Sequence, residues 1–299
     1  MSSIRYCPVC EADPKNALLF QKENFDAKRI SAFSYASRKE PEYMCHQLVR
    51  CRICDLVYAS TPPEQDKLAQ VYHTSEYDSS KEADDAAQTY IKAIQPILAN
   101  LKRKNSVLEI GSGTGVLLDL LQDQGFIKLV GIEPSSAAIA AASPHRREWL
   151  NQGIFKEHDF EPASFDLICC FMTMEHVHDP MITALAANRL LRQNGAFVTI
   201  THDYNSLVNR ILGKKSPIID IEHMQLFSKT SIYELFKRSG FDKISVNPFI
   251  NSYSLSYWLR LAPLPKAVKR CLNWLIASVG IDKLKIELNV GNIITAGFK

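Results

Sequence analysis

The sequence has no run of about 18 uncharged apolar residues, the length a helix needs to cross a bilayer, so no spanning segment is expected. Its start, Met1-Ser2-Ser3-Ile4-Arg5-Tyr6, lacks the apolar block of a secretory leader. A cytoplasmic protein is the expectation. Thiols stay reduced there, so the eight cysteines are not read as a disulfide framework. An excess of one charge is also missing. Lys+Arg number 35 against 32 Asp+Glu, a formal +3, too small a surplus for a general binder of nucleic acid. Glycine is scarce at 12 of 299 residues, yet three fall within five positions, at Gly111, Gly113 and Gly115.

What is present is enough apolar material, 46% of the chain, to bury a substantial core. Val107-Leu108-Glu109-Ile110 reads as a buried strand, Gly111-Ser112-Gly113-Thr114-Gly115 as a turn, and Val116 to Leu121 as a helix start. Glycine permits positive φ and leaves no Cβ between backbone and ligand, while free N–H groups at a helix start can face that ligand. From Ser106 onward, strands are expected near 106–110, 128–132, 153–156, 165–171 and 195–201, with helices near 116–124, 135–142 and 180–191. This alternation predicts βαβ units: an α/β, Rossmann-like fold with a mostly parallel sheet and helices on both faces. Ligands in such folds sit at the C-terminal ends of the strands. Glu133-Pro134 closes the second strand, where a carboxylate can accept both hydrogens of a ribose diol. Asp159, after the third strand, can accept from an exocyclic amine, with the Phe160 N–H beside it.

Ahead of this core, Cys7-Pro8-Val9-Cys10 and Cys51-Arg52-Ile53-Cys54 are two C-x-x-C units, each able to aim two thiolates at one ion. Together Cys7, Cys10, Cys51 and Cys54 make a four-cysteine site for structural Zn²⁺. Cys45 and His46 are rival ligands, and Glu11 and Asp55 follow the pairs where zinc-binding turns often carry glycine. Short strands at 47–50 and 56–59 flank the second pair, and Pro62-Pro63 suggests a boundary, giving a small zinc-ribbon-like module over 1–63 and a second domain over 64–299. Residues 22–40 are mostly polar and without period. Helices are expected over 64–72 and 81–101, the latter with Pro96 as a kink.

With these residues in place, residues 100–203 resemble the core of a class I S-adenosylmethionine-dependent methyltransferase. The resemblance rests on Leu108 to Gly115, Gly131-Ile132-Glu133-Pro134-Ser135, Phe165-Asp166-Leu167-Ile168, Glu175 to Pro180 and Leu190 to Phe197. The paired C-x-x-C units, Glu222-His223-Met224-Gln225-Leu226-Phe227-Ser228 and Gly291-Asn292-Ile293-Ile294 look like bacterial members acting on sugars or other small metabolites. The resemblance implies a seven-stranded sheet with the last strand, 290–298, inserted antiparallel. It also implies S-adenosylmethionine as cofactor. Gly111, Ser112, Gly113 and Gly115 would line its methionine part and Glu109 would support the loop. Glu133, with Pro134 and Ser135, would hold the ribose, and Asp159 with Phe160 the adenine. Phe171 and Met172 would close over the cofactor, His176 would sit at the adenine side, and Tyr72 and Tyr77 would cover the carboxylate. His202-Asp203 departs from the family pattern, which often has proline there.

Two rivals are a nicotinamide-dependent oxidoreductase and a catalytically silent cofactor-binding or scaffold protein. The dinucleotide turn wants its third glycine where this chain has Val116, and that glycine allows close helix packing beside a pyrophosphate. The candidate bases His223, His176, His202 and Glu175 argue against a silent protein. Each also has a structural reading: a loop histidine can serve only to hydrogen-bond, and Glu175 can cap the helix near Pro180. Residues 204–227 are long for a connection and are expected to cover a small-molecule acceptor, of sugar type or lipid-linked. Over 253–285, apolar residues including Trp258, Val268, Trp274 and Leu275 stand beside Arg260, Lys266, Lys269 and Arg270. That pattern fits either a basic amphipathic membrane face or helices packed over the sheet edge with their cations in water.

Overall fold

The computed structural model describes residues 5–31, 34–35, 42–74, 80–262 and 264–299. Tyr77 lies outside the described residues. Near the N-terminus are β1 (Ala17–Gln21), β2 (Leu48–Cys51), β3 (Val57–Ala59), α1 (Gln65–Thr74) and α2 (Ser80–Asn100). The core continues through β4 (Ser106–Ile110), α3 (Val116–Asp123), β5 (Lys128–Glu133), α4 (Ser136–Ala141), α5 (Pro144–Arg147), β6 (Leu150–Gln152), β7 (Phe165–Phe171), α6 (Pro180–Leu190) and β8 (Leu191–His202). Then follow α7 (Leu207–Leu212), β9 (Gln225–Leu226), α8 (Lys229–Arg238), β10 (Asp242–Ser254), α9 (Leu255–Leu261), α10 (Lys266–Ser278) and β11 (Lys285–Phe298).

The large sheet has seven strands in the order β10-β11-β8-β7-β4-β5-β6. Strands β8, β7, β4, β5 and β6 run parallel, whereas β11 pairs antiparallel with both β8 and β10. Every residue of β4 and β7 is buried, as expected for central strands covered by helices on both faces. The expected alternation is therefore present, with one shift. The third strand is Leu150–Gln152, ahead of the expected 153–156, because the segment beyond Gly153 leaves the ladder and lines the ligand cavity instead.

The two faces carry different partners. One packs α2 and α3, through Ile94, Leu98 and Leu118, onto Val107 and Leu167. The other joins Leu108, Ile168 and Phe197 to Phe227 and Phe236, and the same cluster takes in Val9, Cys54 and Tyr58. The N-terminal region forms its own four-stranded sheet, β1-β2-β3-β9, whose last strand comes from the segment after β8. Residue 63 falls between β3 and α1, yet the sheet before it is completed by Gln225 and Leu226.

Pro96 lies inside an unbroken α2. The β10–β11 connection carries α9 and α10. Tyr257 is buried in α9, but α10 has no buried residue, and Val268, Trp274, Leu275 and Val279 are exposed. α10 therefore shows part of the expected packing: Leu272 and Ile276 are half-buried on its inner side and Lys266 and Arg270 are exposed, but a further apolar stripe faces outward. No described helix is long and apolar enough to cross a membrane.

Candidate functional site

A cavity of about 680 Å³ opens at the C-terminal ends of β4, β5, β7 and β8. At its floor the β4–α3 turn holds Gly111, Gly113 and Gly115 at φ +77°, +54° and +70°, the left-handed region glycine adopts without strain. Their roles differ. A Cβ on Gly113 would meet nothing within 4 Å, so this position looks into open cavity, whereas one on Gly111 would lie 2.2 Å from Thr173 Oγ1. Gly113 leaves space for a ligand; Gly111 lets the turn pack against the loop after β7.

Glu133 ends β5 with both oxygens in use: Oε2 accepts from the Gly113 N–H at 2.8 Å and Oε1 from the Ser135 N–H at 2.8 Å. Burial pushes its pKa up and these two donors oppose the rise. The carboxylate is thus aimed at the cavity, with acceptor capacity left for a diol. Ser135 caps α4 by accepting from the Ala138 N–H. Glu109, Ser112 and Pro134 also line the cavity, as do Phe171 and Met172 at the end of β7. Tyr90 packs edge-on against Phe171, ring centroids 5.0 Å apart.

Asp159 and Phe160 do not join this lining. Asp159 is an exposed residue of a short 3-10 turn, 3.6 Å from His158 Nε2. The Phe160 N–H is already given to the Glu157 carbonyl, and its ring lies between Phe155 and Phe165. Because the third strand ends early, Gly153 to His158 line this side of the cavity in their place.

The lining also holds three clustered histidines, His176, His202 and His223. The rings of His176 and His223 are 4.8 Å apart, and those of His202 and His223 are 5.4 Å apart. His223 Nδ1 lies 2.7 Å from the Ile218 carbonyl. A carbonyl can only accept, so Nδ1 carries the proton and the lone pair of the neutral ring is on Nε2. His176 Nδ1 is 3.0 Å from the Tyr72 hydroxyl and 3.7 Å from Glu222 Oε2. His202 is driven down to about 3, by burial first and by the neighbouring His223 second. It therefore stays neutral beside His223.

Glu175 is a correction on both of its readings. It is fully buried and does not line the cavity, and the cap of α6 is Asp179, which accepts from the Met181 and Ile182 N–H groups. Glu175 instead braces the loop: its Oε1 accepts from the His202 N–H at 2.6 Å and its carbonyl from the Met224 N–H at 2.8 Å. Burial raises its carboxyl to about 7.

Several lining residues carried no local signal. His202 Nδ1 donates to Asn292 Oδ1 at 2.8 Å, and Asn292 Nδ2 donates to Asn251 Oδ1 at 3.3 Å. Asn251 Nδ2 ends this relay buried and with no partner among the described residues, on a side chain that lines the cavity. Tyr253, Tyr257 and Trp258 form an aromatic wall beside it. Only the pairing of β8, β11 and β10 brings these residues together, and residue spacing does not reveal it.

Away from the cavity, Cys7, Cys10, Cys51 and Cys54 have their sulfurs within 4.8 Å of one another. The Cys7–Cys54 and Cys10–Cys51 pairs are each 3.5 Å apart, close to the ~3.8 Å edge of a tetrahedral zinc–thiolate centre. Glu11 and Asp55 adopt φ +58° and +65°, so the two turns take the left-handed conformation without glycine. The hydrogen bond from Cys54 lowers the pKa of Cys7, favouring a thiolate in the cluster. Cys45 is not in the group; its sulfur faces the Lys22 carbonyl at 3.8 Å. Asp55 is also bound by the Tyr204 hydroxyl at 2.8 Å, and Arg5 joins the Ala59, His178 and Met224 carbonyls.

A family model described as a methyltransferase domain matches residues 82–246. Among curated relatives, the ubiquinone biosynthesis O-methyltransferase of Nitrosomonas europaea is 27% identical over 165 residues, covering 51% of this chain and 68% of the relative. That of Paracidovorax citrulli is 25% identical over 219 residues, covering 65% and 90%. The solved SAM-dependent methyltransferase of Archaeoglobus fulgidus shares 15% identity with a TM-score of 0.49, covering 71% of this chain and 94% of that one.

Proposed function

Since this chain belongs to the class I S-adenosylmethionine-dependent methyltransferases, we propose that it methylates a hydroxyl on a neutral ring-shaped small molecule, with His223 as the base. The observation that carries this reading is the His223 tautomer, fixed by the Ile218 carbonyl so that Nε2 holds the lone pair at the cavity wall.

Gly113 and Glu133 fit the cofactor, the first by leaving open space and the second by a carboxylate aimed at a diol. When bound, S-adenosylmethionine supplies an electrophilic methyl on its sulfonium. The protein's own task is placement and one proton. Asn251 Nδ2 donates to an oxygen of the acceptor ring, which satisfies the relay that begins at His202. Tyr253, Tyr257 and Trp258 pack on the ring's face. His223 Nε2 takes the hydroxyl proton as the new C–O bond forms, while His202 remains neutral beside it. Among the described residues the lining has no arginine, and its lysine, Lys156, lies on the segment after β6 rather than on β10 or α9. A neutral ring at the Asn251 end fits that charge distribution, and the hydroxyl fits the relatives named as O-methyltransferases.

The four cysteines hold one structural Zn²⁺ in this reading. A closed four-thiolate site leaves no position for water, so the ion stabilises β2, β3 and, through their pairing, β9. The acceptor assignment is tested by incubating the protein with methyl-labelled cofactor and either catechol or a methyl glucoside. Label in a methyl ether of one of them is the expected product. Label transfer only to amines, or to carbon, would overturn the hydroxyl assignment.

A further inference from the structure

We infer that α10 is a docking surface for an anionic phospholipid bilayer, with its apolar stripe lying in the lipid interface. The helix carries more apolar surface than its inner side covers: Leu272 and Ile276 are half-buried against the protein, and a second apolar stripe faces outward. Val268, Cys271, Leu275 and Val279 recur at three- and four-residue spacing, so they share one face, and all four are exposed. Trp274 stands beside them, 72% exposed. Leu264 precedes the stripe, and Ile281 and Leu284 follow it, all exposed. The inner side is half-buried and mixed, with Leu272 and Ile276 beside two polar anchors: Lys269 Nζ donates to the Arg260 carbonyl and Asn273 shares a crevice with Glu82 and Tyr257, where Arg260 pairs with Glu82 at 3.3 Å. No described residue covers the apolar stripe, and none of α10 is buried.

Charge selects the occupant. The segment 255–288 carries six cations, Arg260, Lys266, Lys269, Arg270, Lys283 and Lys285, against two carboxylates, Asp282 and Glu287. Lys266 and Arg270 are exposed on the same helical row as Trp274, at the margin of the apolar face, and Lys283 is exposed in the connection that follows the helix. Cations flanking an apolar helical face, with a tryptophan at its margin, match the interface of an anionic bilayer, where each cation is attracted and each apolar side chain leaves water. A second copy docked through the same face would set these cations against their own equivalents, which opposes self-association. The geometry also links the surface to the site. α9 presents Tyr257, Trp258 and Leu261 to the cavity while α10 presents its stripe outward, so one β10–β11 connection forms both the cavity wall and the docking face.

The test is flotation of the full chain with phosphatidylglycerol–phosphatidylcholine vesicles, set beside pure phosphatidylcholine. The double variant Leu275→Ser with Val279→Ser removes apolar contact, and Lys266→Glu with Arg270→Glu removes charge; neither pair lines the cavity, so S-adenosylhomocysteine affinity reports an intact fold. Wild type should float with the anionic vesicles, less so at high salt, and each double variant should partition at least about tenfold more weakly. Failure of wild type to float, or equal flotation of the serine variant, would overturn the proposal. Light scattering adds a further outcome against it: a dimer that the serine variant converts to monomer, without vesicle binding, makes the face a contact between copies. The result is independent of the acceptor, because methyl transfer in solution is measured without lipid.

Discussion

Tyr58 and Gln225 are antiparallel partners, Tyr58 on the strand that follows the second cysteine pair and Gln225 two residues beyond His223. The Ala59 N–H also donates to the Met224 carbonyl at 2.8 Å, and Gln225 Nε2 donates to the Met174 and Val177 carbonyls. The cysteine cluster therefore reaches the cavity through backbone pairing, although no cysteine lines it.

Zinc removal should thus act on position. Purified protein is expected to carry one equivalent of zinc. Chelation, or Cys51→Ser, should lower the melting temperature and the methyl-transfer rate while leaving S-adenosylhomocysteine affinity within about twofold. Elemental analysis and calorimetry check this. Less than about a tenth of an equivalent of zinc, with all four thiols freely titratable in the folded protein, would contradict it.

Two glycines of one turn should fail differently. Gly113→Val places a branched side chain in open cavity at φ +54°, which strains the backbone without a clash, so cofactor binding should be lost while a weakened fold is retained. Gly111→Ala drives a Cβ toward Thr173 Oγ1, so it should lower stability, by roughly 1–3 kcal/mol. Calorimetry with S-adenosylhomocysteine and thermal melts separate the two. Equal loss of stability in both would remove the distinction.

Acid sensitivity should show two opposing slopes. Glu175 has a folded pKa of about 7 against an ordinary 4.5. Stability tied to it is full below 4.5 and falls as pH rises through 7, by on the order of 3 kcal/mol. His202 has a folded pKa of about 3 against an ordinary 6.5. Its stability is full above 6.5 and falls as pH drops through 3. Between pH 4.5 and 6.5 the two oppose each other. Glu175→Gln keeps an acceptor for the His202 N–H and should expose stability that rises with pH across that window; His202→Asn should expose a fall. Urea melts at several pH values check both signs, and a Glu175→Gln profile parallel to wild type would refute the assignment.

Much of the fold was legible because local signals specify it. The strand, glycine turn and helix over 107–121, and Glu133 about twenty residues on, are fixed by burial period and backbone chemistry that a short window contains. Asp159 falls outside the lining because the end of β6 is set by pairing with β5: a strand ending four residues ahead of the expected 156 moves the lining to Gly153–His158. Glu175 misled for a similar reason. Its position before α6 resembles a cap, but the loop buries it against His202 and Met224, and those contacts lie 27 residues away or more. Asn251 and Asn292 are ordinary strand asparagines in sequence and become a relay only through the antiparallel register of β10, β11 and β8. The outward stripe of α10 was visible as a pattern; which side faced the protein was not.

In the proposed reaction His223 accepts the acceptor's proton, and the His223→Ala variant reports that role. His223 Nδ1 donates to the Ile218 carbonyl, so the lone pair of the neutral ring is on Nε2, and His202 beside it is neutral. Loss of a general base typically costs about 10²–10⁴-fold in rate. A purely structural histidine would instead lower stability and cofactor affinity together. His223→Ala should keep its melting temperature and S-adenosylhomocysteine affinity but lose at least about a hundredfold in turnover; a variant that retains more than about half of the wild-type rate would rule out His223 as the base.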